Sequence, residues 1–448
     1  NRPEASAMAN RLSSLGASLR WLRGQRPGRR SDSLPSHFDP ERYLDLNADV
    51  AMAVEAGLVA SAEEHYRVFG RREGRPIQVP SATAELGGGI AGQWTYRYPY
   101  RAWPELPAIA FAAPRPGPED DAIARRLIAA WQSGAGRAPV QADNEGMWAA
   151  RTQGFPDFHR ALQGGDAGAL AGLLNNLFQS HLAHGIAMGR TMATLARHAP
   201  TPFAASWCDR LLRLSEAVGL APIRSPEQGD YAAALPGPLA HHVAPARLEA
   251  ELGFPLAFPE VGAPFGVRYG ANILPEHALT HAYAAWRVGQ LGRFGRVVEI
   301  GGGFGGLAWF LRHPDRHYTI LDLPFTNVLQ GWFLLKAGLN VSLAGEPDAA
   351  IRVWPWWEIE RNERYDLAIN QDSLPEMPPE TAAMYIARIR AIAPLFYSIN
   401  QEAAAPNTDA FRQAVVADLV ARDGGYRRLG RHLFWMRDGY VEEIYARR

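Results

Sequence analysis

The chain has 448 residues, enough for two or three domains, and its 47% hydrophobic and 21% charged content is that of an ordinary soluble globular protein. Its 46 basic and 46 acidic residues cancel, which excludes a whole-molecule field favouring nucleic acid or an anionic membrane. A single cysteine, Cys208, excludes an internal disulfide and a multi-cysteine metal cluster; with no long apolar run and no apolar leader core, the expectation is a soluble, cytoplasmic protein without a transmembrane segment.

Residues 1–36 hold seven arginines among Ser, Gly and Pro, and predict a basic flexible arm. Residues 37–78 predict a small helical module: Asp39 suits an N-cap with Pro40 behind it, Asn47 and Asp49 suit a second helix start, and Gly57 a stop. The run Tyr43-Leu44-x-x-Asn47-x-Asp49-Val50-Ala51, ending in Glu73-Gly74-Arg75, resembles a short module appended to bacterial surface-polysaccharide and glycosyl-transfer proteins. That resemblance implies a setting, with contacts to glycan-assembly proteins through residues 1–78, and no chemistry. Residues 79–118, rich in Pro and aromatics around Trp94-Thr95-Tyr96, read as an ordered connector. An all-helical substrate or lid region is expected over 119–290. Apolar residues recur there at three- and four-residue spacing over 120–131, 167–178 and 203–218, and a last helix opens at Pro275-Glu276-His277.

From residue 291 the pattern alternates between short apolar strands and helices. Strands are predicted at 297–300, 318–321, 341–343, 366–369 and 395–399, with helices at 306–312, 325–337, 379–392 and 408–421 between and after them. Asp438-Gly439 joins two apolar segments, 433–436 and 441–445, as a closing hairpin. The fold class is therefore α/β: a Rossmann-like, mostly parallel sheet with an antiparallel C-terminal hairpin, preceded by the helical region.

The first strand of this unit runs into Glu299-Ile300-Gly301-Gly302-Gly303-Phe304-Gly305 and then a helix. Strand, glycine loop and helix let a backbone approach a nucleotide-like ligand closely, and Asp322, twenty-one residues after Gly301, stands where an acidic group bonds ribose hydroxyls. Gly301-x-Gly303-x-x-Gly306 also satisfies a dinucleotide pattern, so an NAD-linked sugar oxidoreductase is one rival. Three features favour S-adenosylmethionine. Glu299 can engage a cationic methionine end but would repel a pyrophosphate; no further domain follows the hairpin to hold a hydride acceptor; and the fourth strand runs into the polar cluster Asn370-Gln371-Asp372-Ser373-Leu374-Pro375-Glu376-Met377.

These segments resemble the class I methyltransferases and, with Leu321-Asp322-Leu323-Pro324 and Tyr397-Ser398-Ile399-Asn400, the sugar O-methyltransferase family of bacterial glycan clusters. The likeness extends upstream through Asn144-Glu145-Gly146-Met147-Trp148, covering roughly residues 140–448. It implies that Glu299, Gly301, Gly303, Gly305, Asp322 and Leu323 hold the cofactor, with Asn370 and Gln371 near its methionine portion. The implied acceptor is a sugar or glycan, free, nucleotide-linked or lipid-linked. A hydroxyl nucleophile needs a general base. Asp372 and Glu376 are the first candidates, with a helix cap or surface carboxylate as the plain alternative. His277, one helical turn from His281, is a further base candidate or a core histidine. Glu402 is a more distant carboxylate at the same edge. Trp354, Trp356 and Trp357 offer sugar-stacking faces or core bulk, and Arg268 with Tyr269 could meet an anionic carrier. No metal site is expected. A second rival is a non-catalytic glycan-assembly scaffold that kept the fold.

Overall fold

The computed structural model describes residues 34–55, 59–73, 75–78, 106–135, 154–187, 189–223, 244–361, 363–402 and 414–448. Nearly all of the expected basic arm, the centre of the connector, Gly57 and residues 144–148 lie outside them. Helix α1 (Pro40–Leu46) starts as its caps dictate: the Asp39 side chain accepts from the Arg42 N–H at 3.1 Å and Pro40 takes the first position. Asn47 ends it and donates to the carbonyls of Tyr43 and Pro76, at 2.8 and 3.0 Å, closing the module on itself. Helices α2 (Ala48–Glu55) and α3 (Ala62–His65), the latter continuing as a π turn over Tyr66–Gly70, complete a small core of Tyr43, Val50, Ala62 and Tyr66.

The middle of the chain forms helices α4 (Asp120–Ala135), α5 (Pro156–Gly164), α6 (Ala167–Leu174), α7 (Gly189–His198), α8 (Pro200–Ala217) and α9 (Pro245–Leu252). It also carries a small antiparallel sheet that periodicity alone left unassigned. Strand β1 (Ile109–Phe111) pairs with β2 (Phe265–Tyr269), which turns through Gly270 into β3 (Asn272–Leu274). These strands are too short for alternation to register, and the pairing of β1 with β2 bridges more than 150 residues. Helix α10 (Glu276–Leu291) follows, opening one residue after Pro275.

The large sheet comprises β4 (Arg296–Ile300), β5 (His317–Asp322), β6 (Val341–Leu343), β7 (Ile351–Pro355), β8 (Leu367–Gln371), β9 (Leu395–Gln401), β10 (Tyr426–Leu433) and β11 (Tyr440–Arg447). Their order is β10-β11-β9-β8-β4-β5-β7-β6; β4 through β9 are parallel, and β11 runs antiparallel to both β9 and β10. Helices α11 (Gly306–Leu311), α12 (Pro324–Lys336), α13 (Pro379–Ile392) and α14 (Val416–Asp423) connect the strands. This is the expected doubly wound, Rossmann-like sheet with an antiparallel hairpin. Two strands differ from the sequence reading. Ile351-Arg352-Val353-Trp354-Pro355, left unassigned with Trp354 counted in an aromatic cluster with Trp356 and Trp357, is β7, buried along its length between β5 and β6. The first hairpin strand ends at Leu433 instead of beginning there, because β10 is an edge strand whose exposed Arg427, Arg428 and Arg431 mask its alternation.

Strand parity divides the core. Val297, Ile320, Val353 and Ile369 face a cluster that includes α4, α6, α8, α10 and α12; Val298, Leu321, Trp354 and Ala368 face α13 and α14. The helical region is thus one face of the sheet's own core. β4 and β8 are parallel, but strand succession runs from β4 toward β5, β7 and β6 on one side and toward β8 and β9 on the other, and this switch in winding opens a crevice at their carboxyl ends.

Candidate active site

A cavity of about 770 Å³ occupies that crevice. Gly301 leaves β4 at φ +73°, its N–H donating to the Leu321 carbonyl at 3.0 Å, and a Cβ on it would collide with the Ser373 side chain. Gly303, Leu323 and Gln371 line the cavity with Gly301. From the helical region, Ile186 leans over the loop, its side chain 3.7 Å from where a Gly303 Cβ would stand.

Two carboxylates form the floor. Glu299 is buried, accepts from the Tyr318 hydroxyl at 2.9 Å, and still reaches the cavity. Burial lifts its pKa to about 7, the Tyr318 bond opposing and the Asp322 charge adding to the rise. Asp322 ends β5 and accepts from the Leu323 N–H at 2.7 Å and Gln330 Nε2 at 2.6 Å. Burial again outweighs those bonds and lifts it to about 7. With Gln371 Oε1 buried and lacking a protein donor beside them, the floor suits a ligand bearing hydroxyls and a positive charge.

The cavity is also lined by Asp372, Glu376, His277, His281, Trp356 and Arg437. Asp372 has φ +63°, unusual for a residue other than glycine. Its N–H bonds to the Ile399 carbonyl and Asn400 Oδ1, and its carboxylate accepts from Arg437 Nη1 at 2.9 Å and the Tyr440 hydroxyl at 2.7 Å. Burial raises its carboxyl, with Arg437 pulling the other way. His277 packs against Phe178, Phe258 and Phe304 with both ring nitrogens buried and unbonded. Burial and the neighbouring His281 hold it well below the usual imidazole range, so it is neutral at pH 7. His281 is likewise lowered by burial, to about 4, and packs where a Cβ on Gly306 would stand.

Several expected residues stand elsewhere. Asn370 does not reach the cavity: wholly buried at the end of β8, it donates to the Ile300 carbonyl and Ser373 Oγ and accepts from Asn400, knitting three strand ends together. Gly305 caps α11 at φ +92° and is absent from the cavity wall. Glu402 pairs with Arg431 on the hairpin, and Trp354 and Trp357 are core. Arg268 and Tyr269 lie on β2, where Tyr269 packs on Trp207, away from the cavity. Conversely, sequence reasoning missed Ile186, Met192, Arg210, Glu276 and Arg437 in the wall. Only Arg437 carried a signal, its place beside the Asp438-Gly439 turn.

No protein-family profile matches the chain, and no curated protein matches it. Among solved structures, it is similar to magnesium protoporphyrin IX methyltransferase from Synechocystis with bound SAM, at 16% identity over 39% of this chain and 82% of that one, TM-score 0.29. An N-methyltransferase from Bradyrhizobium japonicum in complex with S-adenosyl-L-homocysteine matches at 13% identity over 39% and 88%, TM-score 0.28. An O-methyltransferase family protein from Burkholderia thailandensis matches at 17% identity over 38% and 59%, TM-score 0.29.

Proposed function

We propose that this chain is an S-adenosylmethionine-dependent O-methyltransferase acting on a hydroxyl of a sugar or glycan. The observation that carries the cofactor reading is the pairing of buried Glu299 and half-buried Asp322 in a crevice opened by Gly301 and Gly303. A pyrophosphate would meet two carboxylates there, whereas ribose hydroxyls and a cationic amino acid end find acceptors. Asp322 would hold the ribose and Glu299 the methionine end, with Leu323 and Gln371 beside them. When bound, the cofactor supplies an electrophilic methyl group. "Sugar" is supported by the motif resemblance and by the half-exposed face of Trp356 in the cavity wall.

The protein's share of such a displacement is placement and proton removal. In-line attack needs acceptor oxygen and methyl carbon about 3–3.5 Å apart, which the walls from α7, α10 and α13 would enforce. Glu376 is our candidate for the proton acceptor, half-buried in the wall just before α13. Asp372 is better suited to positioning, since Arg437 and Tyr440 occupy its oxygens. His277 is better suited to packing, its ring being set among Phe178, Phe258 and Phe304 with both nitrogens buried. Incubation with methyl-labelled S-adenosylmethionine and a panel of bacterial glycans, read by mass spectrometry, should give a labelled O-methyl sugar. Glu376→Gln should lower that rate roughly 10²–10⁴-fold. Label found only on nitrogen, or on no glycan, would count against the reading.

A further inference from the structure

We infer that Arg437 is a specificity residue which selects an acceptor bearing a single carboxylate, such as a uronate ring. This inference rests on the methyltransferase reading above and concerns the acceptor half of the same cavity.

The turn between β10 and β11 that carries Arg437 is fixed from two sides. From α8, the buried Arg210 donates to the Met436 carbonyl, and the buried Arg213 donates to the Trp435 carbonyl and to both oxygens of Asp438. From β8, Asp372 accepts from Arg437 Nη1, and Tyr440 both bonds Asp372 and lies under the guanidinium, 4.3 Å from ring centroid to Cζ. Asp372 holds this arrangement at positive φ, a strained conformation of the kind found where a site over-determines its residues. A surface ion pair would not need that strain.

The pair is also not sunk in the core. The side chains of Arg437 and Asp372 are 39% and 34% exposed, and both lie in the cavity wall. Asp372 takes Nη1, and among the described residues no acceptor bonds Nε or Nη2, which leaves them as donors on a guanidinium whose plane and charge are already set. A planar, fixed donor set of this kind matches a carboxylate best. Glu376 and Glu380 lie in the same wall and disfavour a phosphate dianion, which narrows the choice to a monoanion. The chain's other cavity-lining arginine, Arg210, is engaged by Glu276.

The test is calorimetric, on the full chain saturated with S-adenosylhomocysteine so that the cofactor half is filled. D-glucuronate and D-glucose are then titrated as matched rings with and without a carboxylate. We expect glucuronate to bind at least tenfold more tightly than glucose. Arg437→Gln should abolish that preference, and Arg437→Lys, which keeps charge but loses the planar donors, should reduce it. Asp372→Asn should weaken it by loosening Arg437. Equal binding of the two sugars, binding of neither, or a preference that survives Arg437→Gln would overturn the inference. Failure of S-adenosylhomocysteine itself to bind would instead overturn the cofactor reading, and circular dichroism of each variant separates both outcomes from misfolding.

Discussion

Glu299 and Asp322 set the chemistry of the cavity floor, and both titrate near neutrality. Their ordinary values of 4.5 and 3.8 rise to about 7 because burial penalises the charged forms. Between about pH 4 and 7 the folded chain therefore holds protons that the unfolded chain has lost. Stability contributed by these groups is full below the unfolded values and is lost as pH rises through about 7. Urea melts of the ligand-free chain should show stability falling over that window, with Glu299→Gln flattening the fall. Binding a cationic ligand favours the ionised carboxylates, so affinity for S-adenosylmethionine, a sulfonium cation, should increase from pH 6 to 8. A pH-independent affinity would contradict this. These two residues were legible in the sequence because a glycine loop fixes its neighbours locally. Asn370 was misplaced because its segment tells which strand end it occupies but not which way its side chain turns. Arg437 offered only its place beside the Asp438-Gly439 turn, because it reaches the cavity through the folding back of a distant hairpin.

At the level of elements, α8 and the β10–β11 hairpin form the joint that holds Arg437 in the cavity wall. Arg213 is buried there with Asp209 one helical turn away, at 2.7 Å, and bridges to Asp438 at 2.8 Å. Arg213→Ala would take the guanidinium away from the buried Asp209 carboxylate, at a cost of roughly 3–5 kcal/mol in a denaturant melt. A loss under about 1 kcal/mol would show that the joint is not what holds the hairpin. Helix starts at Pro40 and Pro379 were read from the sequence, and Pro156 and Pro200, which were not, also stand at first helical positions. Strand β7 escaped notice because two tryptophans beyond its Arg-Val-Trp core read as one aromatic cluster, and β1 because its partner lies far along the chain.

Across the whole molecule, the helical region and the sheet share one core, and the small N-terminal module is docked onto the same body. Leu46, 2% exposed, sits with Ala193, Leu195 and Phe203, and Asp45 pairs with Arg190 on α7, whose Met192 lines the cavity. Leu46→Ala should cost about 2–5 kcal/mol, a core-sized loss that a loosely tethered module would not show. The sequence divided these regions by composition, and composition cannot reveal that their apolar faces meet. Among the described residues no helix is long and apolar enough to cross a membrane. The central claim is that the crevice between β4 and β8 binds S-adenosylmethionine, and one calorimetric experiment addresses it most directly: titration of the chain and of its Asp322→Ala variant with S-adenosylmethionine and with NAD. The account predicts one S-adenosylmethionine site in the parent chain, binding weakened at least tenfold in the variant, and no NAD binding. Tight NAD binding without S-adenosylmethionine binding would contradict it.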